Sequence, residues 1–195
     1  MKTFDEVMKL TRNISSETAF SDAEAKLYYD CLVERAHARK VVGARPEFVE
    51  IGLQFGRSSS IALQVADDYG CVFTGVDPFI QPPEAFAQWV TMAQQFKCTK
   101  ILYHCLSEEI GNVFCADMGV DVILIDGCHD EEVVAEDLKV ASVLLRSGGY
   151  ILCHDFGRES LPGVFKAVGD FLAVNNKSFR LHSHVDTLGV IRRIQ

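Results

Sequence analysis

An α/β fold, doubly wound around a mostly parallel sheet, is what this chain predicts, on three observations. Short apolar runs alternate with helix-patterned segments almost from end to end, the signature of strands joined by crossover helices. Most of those runs end in acids, glycines or histidines, and in open α/β sheets the ligand lies beyond the carboxyl ends of the strands. The last two runs are joined too briefly for a crossover helix and should pair as an antiparallel hairpin. At 195 residues the chain is expected to be a single domain.

The elements follow in order. Ser21-Asp22-Ala23-Glu24 is a capping box, in which the serine hydroxyl accepts the third helical N–H while Glu24 reaches back to the serine amide. Leu27, Tyr28, Cys31 and Leu32 recur behind it at helical spacing, which predicts a helix over residues 21–40. Glu47-Phe48-Val49-Glu50-Ile51 reads as the first buried strand, followed by a turn from Gly52 to Gly56 and a helix opening near Ser58. Residues 72–76 form the second strand, which ends at Asp77-Pro78, and Pro82-Pro83 punctuates the loop before a helix over residues 84–95. The third strand is expected at residues 101–103 and the fourth at 120–125, a mostly apolar run of the kind covered on both faces. Residues 130–145 are amphipathic: Val134, Leu138, Ala141 and Leu145 share a face, with Glu131, Glu132, Glu136 and Lys139 largely elsewhere. Gly148-Gly149 should stop that helix. Residues 150–153 are the fifth strand, and Pro162 suits the first turn of a helix carrying Val164, Phe165, Val168, Phe171 and Leu172. Residues 178–182 and 188–194 supply the closing hairpin, joined through Val185-Asp186-Thr187.

Composition narrows the partners. Nineteen Lys and Arg against 27 Asp and Glu leave a net charge of −8, which disfavours a broad basic face for nucleic acid. The opening residues are acidic where a leader would be basic and then apolar, and no run approaches the roughly 18 apolar residues of a membrane span. Seven cysteines without a C-x-x-C pair suit a reduced, cytoplasmic compartment.

The strand ends carry the chemistry. Glu50-Ile51-Gly52 turns through Gly56-Arg57-Ser58 into a helix start, where glycines admit a close ligand and the first helical N–H groups are free. This is neither the Gly-x-Gly-x-x-Gly of nicotinamide domains nor a P-loop, which would need a lysine. Asp77, ending the second strand, has the chemistry to take two hydrogen bonds from a ribose diol; its bland reading is an Asp-Pro turn initiator. An acid, a glycine turn and a second acid together favour a nucleoside-containing cofactor. The fourth and fifth strands deliver Asp126 and His129, then His154 and Asp155, to one rim, a set that suits Mg²⁺ or another divalent metal. The alternative is that Asp130 and Asp155 cap helices and the histidines are solvated. A zinc site from Cys128, His129, Cys153 and His154 is disfavoured, because Cys153 and His154 should face opposite ways. His37, His104, His182 and His184 read as structural or solvated.

These segments resemble the class I S-adenosylmethionine-dependent methyltransferases, whose fold is Rossmann-like with a seven-stranded sheet. Residues 49–59, Val-Glu-Ile-Gly-Leu-Gln-Phe-Gly-Arg-Ser-Ser, are similar to the family's first motif, and Asp77 matches its ribose-binding acid. Residues 121–129 and 145–155 resemble a small-molecule O-methyltransferase subgroup that includes macrolide-sugar O-methyltransferases and cephalosporin-hydroxylase-like proteins. The resemblance implies S-adenosylmethionine as cofactor, contacted by Glu50, Gly52, Gly56, Ser58, Asp77, Asp126 and, on the adenine side, Ser107. It implies Asp126 and Asp155 as ligands of a divalent metal, as in catechol O-methyltransferase, with His129 in the place of the general base and Asp126 assisting. Phe156 stands where the catechol enzyme has an amide ligand, which leaves His154 or water to complete the coordination. The implied reaction is O-methylation of a small-molecule hydroxyl, on a sugar or diol. A cofactor-binding module without turnover, and a metal-dependent oxygenase or hydrolase on the same fold, remain open. Residues 46–195 are taken up by the core, leaving residues 1–45 as a helical lid or extension; a bulky acceptor then needs an open cleft or a neighbouring subunit in a homo-oligomer.

Overall fold

Seven strands and seven helices alternate along the described residues of the computed structural model, which are 1–11, 20–80, 83–110 and 119–195. Helix α1 spans Phe4–Thr11 and α2 Asp22–Val41; then come β1 Glu47–Ile51, α3 Arg57–Tyr69, β2 Val72–Val76, α4 Ala85–Ala93 and β3 Thr99–Tyr103. The second half continues with α5 Ser107–Ile110, β4 Val120–Ile125, α6 Glu131–Leu144, β5 Leu145–Cys153, α7 Pro162–Val174, β6 Phe179–Val185 and β7 Leu188–Arg193. Pro82 and Cys115 lie outside the described residues, as does part of the expected N-terminal lid, residues 12–19.

The sheet order is β3-β2-β1-β4-β5-β7-β6, with β1 to β5 parallel and β7 antiparallel to both of its neighbours. The expected fold class is thus observed. Strand order reverses between β1 and β4, which fixes the place where a ligand cleft opens. Alternate side chains feed two cores. Phe48, Phe73, Val122, Leu124, Tyr150 and Leu152 pack under α1 to α4, while Val49, Val76, Ile123, Ile125, Ile151 and Cys153 pack under α5 to α7. Helix α2 is a full layer of the first core, with Tyr28, Leu32 and Ala36 wholly buried.

Local signals explain most boundaries. Ser21 caps α2 with the reciprocal bonds of a capping box, Glu24 N to Ser21 Oγ at 3.1 Å and Ser21 N to Glu24 Oε2 at 2.8 Å. Pro162 sits in the first turn of α7. One expectation is corrected: Gly148-Gly149 do not stop α6. That helix ends at Leu144, and β5 has already begun at Leu145. The glycines occupy an irregular stretch of β5 where pairing with β4 jumps from Val120–Leu145 to Val122–Tyr150. A Cβ at Gly149 would lie 2.9 Å from the carbonyl oxygens of Asp121 and Arg146, so the bulge needs a residue without one. Among the described residues no helix is long and apolar enough to cross a membrane.

Candidate active site

Each central strand hands one more residue to a common rim. The parallel ladder continues past the strands through Gly52 N to Val76 O, Asp77 N to Tyr103 O, Asp126 N to Ile51 O and His154 N to Ile125 O, at 2.8–3.1 Å. Gly52, Asp77, Asp126 and His154 therefore stand in a row at the carboxyl edge. Above them opens a cleft of about 860 Å³, within the usual range for small-molecule sites. Gly52 is required there, because a Cβ would lie 2.2 Å from the Asp126 carbonyl oxygen and its φ is +86°.

The turn after β1 is braced from β2. Asp77 Oδ2 accepts the Leu53 and Gln54 amides at 2.6 and 3.0 Å, and Oδ1 accepts Phe79 N at 2.5 Å. Asp77 thus both initiates its own turn and holds the glycine loop while lining the cleft. Gly56 caps α3, whose first-turn residues Arg57 and Ser58 line the cleft with N–H groups that no helix bonds internally. Glu50 lies apart from the other expected cofactor residues. It is wholly buried and does not line the cleft; its Oε1 accepts the Ser58 hydroxyl, and its Oε2 has no partner. Burial pushes its carboxyl up to about 8.

At the other end of the cleft four expected residues converge. His154 Nδ1 lies 3.1 Å from Asp126 Oδ1 and 3.3 Å from Asp155 Oδ2, and His129 Nε2 lies 2.9 Å from Asp155 Oδ2. Donor atoms of Asp126, His154 and Asp155 all fall within 4.8 Å of one another. Burial opposes charge on His154, but the carboxylates of Asp126 and Asp155 outweigh it and hold its pKa up to about 10. Burial likewise opposes charge on Asp155, yet His129, His154 and Arg158 hold its carboxyl well below the usual carboxylate range. His129 is raised, chiefly by its bond to Asp155.

This donor set fits a divalent cation. Neither ring nitrogen of the buried His154 completes a hydrogen bond, although two carboxylates lie beside Nδ1, and a cation held between such donors would satisfy them. Two carboxylates and one imidazole admit Mg²⁺ and suit Mn²⁺ or another first-row ion. Asp130 stands at the start of α6 without a side-chain capping bond, and Asp155, at φ +57°, starts no helix. Cys153 packs into the core away from His154, as its place on the strand predicts. Phe156 also turns away, against Phe165 and His184.

Some residues at the site carried no sequence signal. Phe20 stacks on His154 with centroids 4.8 Å apart and planes 9° from parallel. Glu24 places Oε2 3.7 Å from His154 Nε2, while its Oε1 accepts the amide and hydroxyl of Thr187 at 2.8 Å each. Arg158 donates to Asp155 Oδ1 at 2.8 Å. Asp137 lines the cleft from α6; its signal was available, since an acid occupies the apolar stripe of Val134, Leu138 and Ala141.

Known proteins share this architecture. No curated protein sequence matches the chain. Among solved structures, the apo form of CalS11, a TDP-rhamnose 3′-O-methyltransferase of calicheamicin biosynthesis, superposes with a TM-score of 0.68 at 15% identity, over 97% of this chain and 92% of that one. The O-methyltransferase NovP gives 0.67 at 12% identity, over 86% and 79%. An O-methyltransferase from Bacillus cereus in complex with SAH gives 0.65 at 14%, over 100% and 92%. Residues 49–156, more than half the chain and the stretch from β1 through the Asp126–Asp155 rim, match a family described as a methyltransferase domain. The chain therefore belongs to that methyltransferase-domain family, within the class I S-adenosylmethionine-dependent methyltransferases.

Proposed function

We propose that this protein transfers a methyl group from S-adenosylmethionine to a hydroxyl oxygen of a small molecule, a sugar or diol, with help from a divalent metal. The observation that carries the reading is the convergence of Asp126, His129, His154 and Asp155 at one end of a cleft whose other parts are the glycine loop and Asp77. CalS11, which acts on a TDP-sugar, supports the acceptor class.

The sulfonium is intrinsically reactive, so the chain's main task is alignment of acceptor oxygen, methyl carbon and sulfur. Gly52, Gly56 and Ser58 admit and hold the cofactor, and Asp77 faces its ribose. Asp126, His154 and Asp155 would hold the cation, which supplies a lowered pKa to a hydroxyl bound beside it. His129 removes the acceptor proton, and Asp155 on its Nε2 orients the ring and stabilises the imidazolium that forms. Phe20 and Glu24 bring the N-terminal segment to the acceptor side, where residues 1–45 serve as its wall and lid. The described cysteines are all free, which suits a cytoplasmic protein.

Mass spectrometry of candidate sugars and diols incubated with S-adenosylmethionine and Mg²⁺ or Mn²⁺ tests the reading. The expected product carries one added methyl and disappears with chelator or in Asp155→Ala. Product that survives both removes the metal and leaves the transfer. Cofactor binding by calorimetry with no product from any acceptor would instead favour a binding module.

A further inference from the structure

Glu24 carries a charge that its place in the fold does not require. In the α2 capping box its Oε2 accepts the Ser21 amide at 2.8 Å, a bond that glutamine would make equally well. The residue is only 3% exposed, and a carboxylate taken so far out of water calls for a compensating charge as well as hydrogen bonds. Three donors fix its two oxygens: the Ser21 amide on Oε2, and the Thr187 amide and hydroxyl on Oε1 at 2.8 Å each. The nitrogen that faces this clamped carboxylate is His154 Nε2, at 3.7 Å, an electrostatic separation rather than a hydrogen bond. The ring is itself held in place, stacked on Phe20 at 4.8 Å, while His154 N donates to Ile125 O at 3.0 Å. Nε2 is thus turned to Glu24, and Nδ1 to Asp126 and Asp155 at 3.1 and 3.3 Å.

An imidazole that ligates a metal through one nitrogen keeps its hydrogen on the other, and a carboxylate beside that hydrogen settles both the tautomer and the orientation of the ring. We propose that Glu24 is the positioning residue for His154: its fixed negative charge keeps the ring hydrogen on Nε2 and leaves the Nδ1 lone pair for a cation held with Asp126 and Asp155. The start of α2 and the hairpin turn at Thr187, far apart in the chain, complete the metal site from behind without touching the metal. This role rests on the proposed reading that Asp126, His154 and Asp155 hold a divalent cation.

Calorimetric titration of Mn²⁺ and of Mg²⁺ into the protein, without cofactor or acceptor, tests the role. The unmodified protein should bind Mn²⁺, and Glu24→Gln, which keeps an oxygen for the capping box, should weaken that binding about 10–100-fold. Mg²⁺, which gains less from an imidazole ligand, should lose less. In a His154→Ala background there is no ring to orient, and adding Glu24→Gln should move Mn²⁺ affinity by no more than about twofold. Ser21→Ala breaks the same cap but spares the carboxylate, and should likewise leave Mn²⁺ affinity within about twofold. Should Glu24→Gln fail to fold, Thr187→Val, which removes a donor from Oε1 and keeps the charge, should weaken Mn²⁺ binding about threefold. Mn²⁺ affinity unchanged in Glu24→Gln, or in Thr187→Val in its place, overturns the role and leaves the metal reading standing. So does a loss that is equal with and without His154. No Mn²⁺ bound by the unmodified protein overturns both.

Discussion

Strand β4 carries an acid at each end, and the two are opposites. Asp121, at the amino end, is wholly buried and saturated: Arg146 Nη1 lies 2.9 Å away, Arg35 Nη2 3.4 Å, Arg39 Nε 3.6 Å, and the Glu47 amide donates at 3.0 Å. Asp126, five residues on, just past the strand's carboxyl end, opens on the cleft and faces a histidine whose ring nitrogens find no hydrogen bond. Both are carboxylates beside cationic groups. What separates structure from function here is closure: one acid's partners complete its valences, and the other's leave a gap of the right chemistry for a guest.

Removing Asp121 is the largest break in that comparison. Asp121→Ala leaves three guanidiniums around a void and should cost about 3–5 kcal/mol in chemical denaturation, the range for breaking a buried ion pair. Asp126→Asn should do the reverse, leaving the denaturation midpoint nearly unchanged while lowering methyl transfer about 10²-fold, ~2.7 kcal/mol in the barrier. If both variants lose stability alike, the distinction fails.

Glu50, on neighbouring β1, is a third kind of acid, wholly buried with the Ser58 hydroxyl on one oxygen. Its carboxyl is pushed from an ordinary value of 4.5 up to about 8, so between those pH values the unfolded chain binds fewer protons than the folded one. Stability attributable to Glu50 therefore falls as pH rises through that window. The melting temperature of Glu50→Gln should gain on the unmodified protein between pH 5 and pH 8; a constant gap would show that Glu50 ionises normally. The smallest expected effect is at the start of α2, the helix whose other end holds Arg35 and Arg39 on Asp121. Ser21→Ala removes the capping hydroxyl and should cost about 1 kcal/mol by denaturation.

Those acids also show what the sequence makes legible. The boundaries of β1, β2 and β4 were readable because each is a short apolar run closed by an acid or glycine, and that pattern put Asp77, Asp126, His154 and Asp155 on one rim. Burial of Glu50 was not readable: whether an acid before a strand's last residue points to ligand or to core depends on the helix packed over it. Gly148-Gly149 looked like a helix stop because glycine serves helix ends and strand bulges equally. The short α5 carries too few residues to show a period, and Phe20, Glu24 and Arg158 reach the site through tertiary packing that local spacing does not encode. Asp137 was the one missed residue with a local mark, an acid on an apolar stripe.

Glu24, tied at once to Ser21, His154 and the Thr187 turn, has a consequence for how such a protein can diversify. The Asp77 end of the cleft is assembled from the middle of the chain, by strands whose register is locked on both sides. The His154 end is finished by Phe20 and Glu24 and by the turn of the closing hairpin. Changes near Phe20 or in the turn at Asp186-Thr187 would alter the surroundings of His154 while leaving the central ladder untouched. On the proposed reading, acceptor preference can thus drift with these two segments while the cofactor machinery on the central strands is inherited whole.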